Sequence, residues 1–154
     1  MKFKNYLNDI VTKIDELAMS SKTIIRPIYK PESIYDAKII LKDGLKFYFI
    51  CYYFRTEELW EIAFEDEAER RYKIEQRPGA SLELFAALET VFKDFINKAL
   101  PNKFRFTADI EEKSRVRLYD TLAKKITKMG MGYKVTIKKS PAAVIYNFKH
   151  WSIE

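Results

Sequence analysis

Ala37-Lys38-Ile39-Ile40-Leu41-Lys42-Asp43-Gly44-Leu45-Lys46-Phe47-Tyr48-Phe49-Ile50-Cys51-Tyr52-Tyr53-Phe54 is the stretch that decides the fold. Two runs rich in β-branched and aromatic residues flank an Asp-Gly pair, the strongest short-range sign of a β-hairpin. The second run, 47–54, is apolar or aromatic throughout and reads as a central strand covered on both faces. After a turn at 55–58, Leu59-Trp60-Glu61-Ile62-Ala63-Phe64 alternates in polarity and reads as a third strand. A charged loop, 65–71, separates it from a short fourth strand, Tyr72-Lys73-Ile74-Glu75, so that the hairpin sheet spans 35–75.

Upstream, Tyr6, Leu7, Ile10, Val11, Ile14, Leu17 and Ala18 recur at three- and four-residue steps, which predicts an amphipathic helix over 3–19. Ser20-Ser21 breaks it, and Pro27 and Pro31 punctuate an extended linker from Ile24 to Ile34. Downstream, a loop at 76–81 leads into a long helix ending near residue 100. Its apolar stripe is Leu84, Phe85, Leu88, Val91, Phe92, Phe95, Ile96 and Ala99. Ser81 is its candidate N-cap, Glu83 suits the positive end of its dipole, and Pro101 stops it. Residues 103–151 then read as strand, helix, strand, strand. Phe104–Ala108 is the first strand. The helix opens near Glu111-Glu112-Lys113-Ser114, with Ser114 a candidate N-cap. It carries Tyr119, Leu122, Ala123 and Ile126 inward and ends at Gly130 and Gly132. Tyr133–Ile137 and Ala143–Trp151 complete the series. The order predicts one α+β domain over 1–154, with helices packed on a mixed, largely antiparallel sheet of about six or seven strands.

Composition bounds the function. A chain of 154 residues is one domain, long enough to bury about 68–70% of its unfolded surface. An aromatic content of 15% is incompatible with a disordered chain. A single cysteine, Cys51, rules out an intramolecular disulfide; it reads as a buried, inert thiol, and a reducing compartment fits. A single histidine, His150, leaves no Cys2His2 zinc set and no spare triad partner, and no metal site is expected. His150 and Trp151 read as packing residues. No signal peptide and no apolar span of ~20 residues is evident, so the expectation is a cytoplasmic protein without membrane contact. The net charge of +6 is uneven: residues 101–154 carry 12 Lys/Arg against 5 Asp/Glu. The basic helix residues Arg115, Arg117, Lys124, Lys125 and Lys128, extended by Lys138, Lys139 and Lys149, read either as a solvated surface or as a nucleic-acid-binding patch.

The middle and C-terminal half of the chain resembles the GNAT superfamily of acyl-CoA-dependent N-acetyltransferases. Three features carry the resemblance. Gln76-Arg77-Pro78-Gly79-Ala80-Ser81 is similar to the family's Gln/Arg-x-x-Gly-x-Gly/Ala loop. Leu118-Tyr119 lies on the helix after the next strand, and Met131-Gly132-Tyr133 enters the strand after that. Phe104-x-Phe106-x-Ala108 followed by Arg115-x-x-x-Tyr119 also resembles small phage proteins of GNAT-like plan, which would place the chain in a host cytoplasm or a virion.

The resemblance implies acetyl-CoA as cofactor, held by Gln76, Arg77, Gly79, Ala80 and Ser81 at a helix N-terminus, where free N–H groups suit a pyrophosphate. It implies two parallel strands that splay around the pantetheine arm, here Tyr72–Glu75 and Phe104–Ala108. Tyr119 would protonate the departing thiolate, and Glu75, or Glu61, would take the proton of an amine acceptor. Three positions depart from the pattern: Ser81 replaces Gly or Ala, Pro78 lacks an N–H, and Glu112 stands where the family has Asn. Two functions follow: a GNAT-like N-acetyltransferase, or a non-catalytic GNAT-fold accessory protein that binds a protein or nucleic-acid partner through the basic C-terminal third.

Overall fold

In the computed structural model, which describes residues 17–18, 23–66 and 80–152, side-chain alternation sorts the strands of one sheet into two faces. β1 (Leu17–Ala18), β2 (Ile24–Lys30), β3 (Ile34–Ile40), β4 (Lys46–Phe54) and β5 (Leu59–Asp66) form an antiparallel meander. Then come α1 (Ala80–Ala99), β6 (Lys103–Asp109), α2 (Lys113–Lys128), β7 (Tyr133–Lys139) and β8 (Ala143–His150). The strands are ordered β1-β2-β3-β4-β5-β6-β8-β7 in an eight-stranded sheet. Only β5 and β6 pair in parallel, because a helical crossover returns the chain in its starting direction. The architecture is the expected α+β, with a mixed, largely antiparallel sheet.

One face of the sheet is the core. Phe47, Phe49, Cys51, Ile62, Phe64, Phe104, Phe106, Tyr146 and Phe148 all point to it and are buried. Both helices pack there. The stripe of α1 sets Phe92 against Phe49 with ring centroids 4.8 Å apart, and Phe95 against Trp60 at 5.4 Å. From α2, Tyr119 meets Phe106 at 4.9 Å. Each such buried aromatic contributes about 1.5–3 kcal/mol of transfer free energy. Leu100 turns left-handed (φ 45°) to close α1, its N–H bonding the Ile96 carbonyl, and Pro101 prevents continuation. Gly130 (φ 68°) takes the left-handed position after the Met129 C-cap of α2.

The hairpin forms as read: β3 and β4 are joined through 41–45, with Gly44 at φ 87° and its N–H bonded to Leu41 O. Other expectations are corrected. Ile24–Lys30 is a strand, not a linker. β1 pairs with Ile24 and Ile25, and Pro27 is set opposite Ala37 of β3. Leu17–Ala18 belongs to β1, so the expected N-terminal helix cannot run to residue 19; positions 1–16 lie outside the described residues. β4 is covered on one face only: Tyr48 and Ile50 are half-buried, and Tyr52 and Phe54 are exposed. α1 starts at Ala80, which puts Ser81 inside its first turn rather than at its N-cap. α2 starts at Lys113 with Glu112 at the N-cap, and Ser114 lies inside it. Asp109 sets that start, since its carboxylate accepts the Glu111 N–H (3.0 Å) and its carbonyl the Glu112 N–H (3.0 Å).

Candidate functional site

The parallel contact is short. Trp60, Glu61 and Ile62 pair with Phe104, Arg105 and Phe106, and there the ladder ends. β5 runs on to Asp66 held by β4, with Phe47 opposite Asp66, while β6 runs on to Asp109 held by β8, with Asp109 opposite Ala143. Each strand follows its antiparallel neighbour, so the sheet forks beyond Ile62 and Phe106. This corrects the expected pair: the strand beside β6 is Leu59–Asp66, and Tyr72–Glu75 lies outside the described residues.

Tyr119 reaches this fork from α2. It is 1% exposed, its ring lies between Phe106 (4.9 Å) and Tyr146 (5.9 Å), and the Phe64 backbone, beyond the last parallel pair, lies near enough to favour the ionised hydroxyl. Burial pushes its pKa up to about 12, which the Arg115 charge and the Phe64 backbone only partly oppose; the charges of Glu112 and Glu61 add to the rise. The hydroxyl is therefore protonated throughout the physiological range, a proton donor and not a base. Behind it, Tyr146 donates to Asp120 Oδ1 at 2.6 Å, with the Val116 carbonyl at 3.1 Å, and fixes α2 over β8. Burial, with the Asp120 acceptor, raises the Tyr146 pKa as well.

Glu61 is on the opposite face of the sheet. The parallel register sets it against Arg105, whose Nε donates to Glu61 Oε2, and Thr107 Oγ1 donates to Oε1 at 3.3 Å. Arg105 also lies 3.9 Å from Glu57. An amine that sought Glu61 as its base would compete with these donors for the carboxylate lone pairs.

Of the remaining expected site residues, Glu75, Gln76, Arg77 and Gly79 lie outside the described residues. Ala80 and Ser81 form the first turn of α1. Next to them Glu83 faces the sheet end: its Oε2 accepts from Thr23 Oγ1 (2.5 Å) and from the Lys42 backbone N–H (2.8 Å), tying the start of α1 to β2 and to the β3–β4 turn. The basic residues of α2 do not act as one set. Arg115 pairs with Glu112 at 3.4 Å, and Lys125 lies over the Phe85 ring at 5.8 Å. Arg117, Lys124 and Lys128 are exposed. Cys51 is fully buried and burial raises its thiol pKa. His150 packs on Tyr133 and Trp151 and lines a cleft of about 390 Å³ with Ile96, Asn97 and Tyr133.

Among the described residues no group of three or more His, Cys, Asp or Glu side chains is arranged to hold a metal ion, and no helix is long and apolar enough to cross a membrane. Sequence reasoning put Tyr119 on the inner face of its helix, and it is buried there. The same reasoning missed the Phe64 backbone, for which no side-chain pattern exists, and the second role of Glu83, whose partners are 60 and 41 residues away.

No family model matches the chain, and no curated protein matches it. Among solved structures, one titled "putative acetyltransferase from Sphaerobacter thermophilus DSM 20745" is similar over 86% of this chain and 96% of its own, at 9% identity and a TM-score of 0.45.

Proposed function

We propose that the protein is a GNAT-like N-acetyltransferase that uses acetyl-CoA on an amine acceptor. The observation that supports this reading best is the fork between β5 and β6, with a buried, protonated Tyr119 hydroxyl at its opening. Acetyl-CoA supplies the activated acyl group. Gln76, Arg77 and Gly79, with Ala80 and Ser81 at the start of α1, hold its phosphates through backbone N–H groups and one guanidinium. Tyr119 holds its proton toward the departing sulfur. An alkyl thiol has a pKa of about 8.5, so full transfer from a phenol at about 12 is uphill by about 5 kcal/mol. Tyr119 thus stabilises a developing thiolate through a charge-assisted hydrogen bond more than by outright protonation. Glu75, or Glu61 once released from Arg105, accepts the proton of the attacking amine.

Thermal unfolding with and without coenzyme A tests the reading. At a hundred times its dissociation constant a ligand adds about 2.7 kcal/mol, a clear rise in Tm. Tyr119→Phe is expected to keep that rise and lower turnover at least tenfold. Absence of any rise at millimolar coenzyme would remove the acyltransferase reading.

A further inference from the structure

Three lysines stand side by side on adjacent strands. The register sets Lys103 of β6 opposite Lys149 of β8, and Lys149 opposite Lys134 of β7. Their chain neighbours Phe104, Phe148 and Tyr133 point into the core, so all three lysines belong to the face turned away from α1 and α2. Strands are about 4.8 Å apart, and the row therefore crosses about 10 Å. None of the three has an acidic partner among the described residues. Glu61, one row along, and Glu57 are both held by Arg105. Like charges directly opposite each other destabilise a sheet. This sheet contains two such pairs in succession, an arrangement that a bound polyanion relieves.

A second observation lies on the same face. Phe54 is 47% exposed and pairs with Leu59, which precedes Trp60, the partner of Phe104. Phe54 thus extends the lysine row across β5. Tyr52, 48% exposed, is in the next row, followed by Glu61, Arg105, Asn147 and Thr136. Two accessible aromatic rings in adjacent rows at one side of the face and three ammonium groups in one row at the other match the two needs of an unpaired nucleotide strand, stacking and phosphate neutralisation. A broad sheet face does not enter a duplex groove as a helix or two-stranded ribbon does. The cations of α2 are on the other side of the sheet and take no part.

We propose that this open sheet face binds single-stranded nucleic acid, with Lys103, Lys149 and Lys134 on successive phosphates and Tyr52 and Phe54 stacked on bases. The inference goes beyond the acyltransferase reading and does not depend on it.

The test is fluorescence anisotropy of a labelled twelve-nucleotide oligo(dT) with the full chain, at increasing KCl and without coenzyme A. Three single-strand phosphate contacts give a slope of log K against log salt of about −2. The triple variant Lys103→Gln, Lys134→Gln, Lys149→Gln is expected to bind at least tenfold more weakly at low salt and to flatten the slope by about 2. Its Tm is expected to equal or exceed that of the wild type, since the in-row repulsion is gone, which separates lost binding from lost folding. Tyr52→Ala with Phe54→Ala is expected to weaken binding at least tenfold at an unchanged slope. The proposal is overturned if the wild type does not bind, if the lysine variant binds undiminished, or if the aromatic variant binds as the wild type does and a duplex of equal length binds as tightly.

Discussion

Raising the pH from 8 to 11 probes whether the Tyr119 hydroxyl is sealed at the fork. In the unfolded chain a tyrosine ionises near 10, and in the folded protein Tyr119 ionises at about 12. At pH 8 both states keep the proton and the group contributes no pH dependence. Between 10 and 12 the unfolded chain has released its proton and the folded protein has not, so rising pH favours unfolding. Two pKa units correspond to roughly 3 kcal/mol lost by the time pH passes 12, and about half of it is already gone at pH 11. Lysines and the other tyrosines titrate in the same window, Tyr133 also being pushed up to about 12 by burial. A difference removes them: urea unfolding of the wild type and of Tyr119→Phe at both pH values, followed through the buried Trp60. Between pH 8 and pH 11 the wild type should lose about 1 kcal/mol more than the variant. Parallel losses would mean that the hydroxyl meets solvent, and the argument for a held proton at the fork would fail.

Two further perturbations test local geometry. Gly132 has φ 88°, and a Cβ there would lie 2.6 Å from two atoms of the Trp151 ring and 2.8 Å from His150 Nε2, whereas Gly130, at φ 68°, has open space. Gly130→Ala should therefore cost only the left-handed backbone penalty, about 1–2 kcal/mol. Gly132→Ala should cost about 1 kcal/mol more and shift the Trp151 emission as its ring is displaced from His150; equal costs and unchanged emission would contradict the packing described. Glu83→Ala should cost about 1–3 kcal/mol by removing the carboxylate that accepts from the Thr23 hydroxyl and the Lys42 N–H, and Glu83→Gln, which keeps an acceptor, should recover most of it in the same urea assay.

Local periodicity made much of the fold readable. The Asp43-Gly44 hairpin and the stripes of α1 and α2 depend on residues within a few positions of one another, and they form where the pattern put them. What failed depends on distant partners. Nothing within Ile24–Lys30 reveals that the segment pairs along its whole length with Ile34–Ile40. Nothing within Phe47–Phe54 tells that both helices choose the same side of the sheet and leave Tyr52 and Phe54 open. The parallel partner of β6 was misassigned for the same reason, since the choice is made across the α1 crossover. At the candidate site Tyr119 was legible as an inward-facing residue at helical spacing; the Phe64 backbone beside it is main chain and leaves no mark in composition.

The insertion of β8 between β6 and β7 imposes an order of assembly. During synthesis β6 and β7 emerge before the strand that must separate them, and until Ala143–His150 arrives β6 has only β5 beside it and β7 lacks the strand it pairs with. In that interval the edge of β6 is bare, and the surfaces of Phe104 and Phe106 that Phe148 and Tyr146 later cover lie open. A nascent chain halted or cleaved before residue 143 is thus a sticky intermediate rather than a smaller version of the domain, and completion of the sheet waits on its last-made strand.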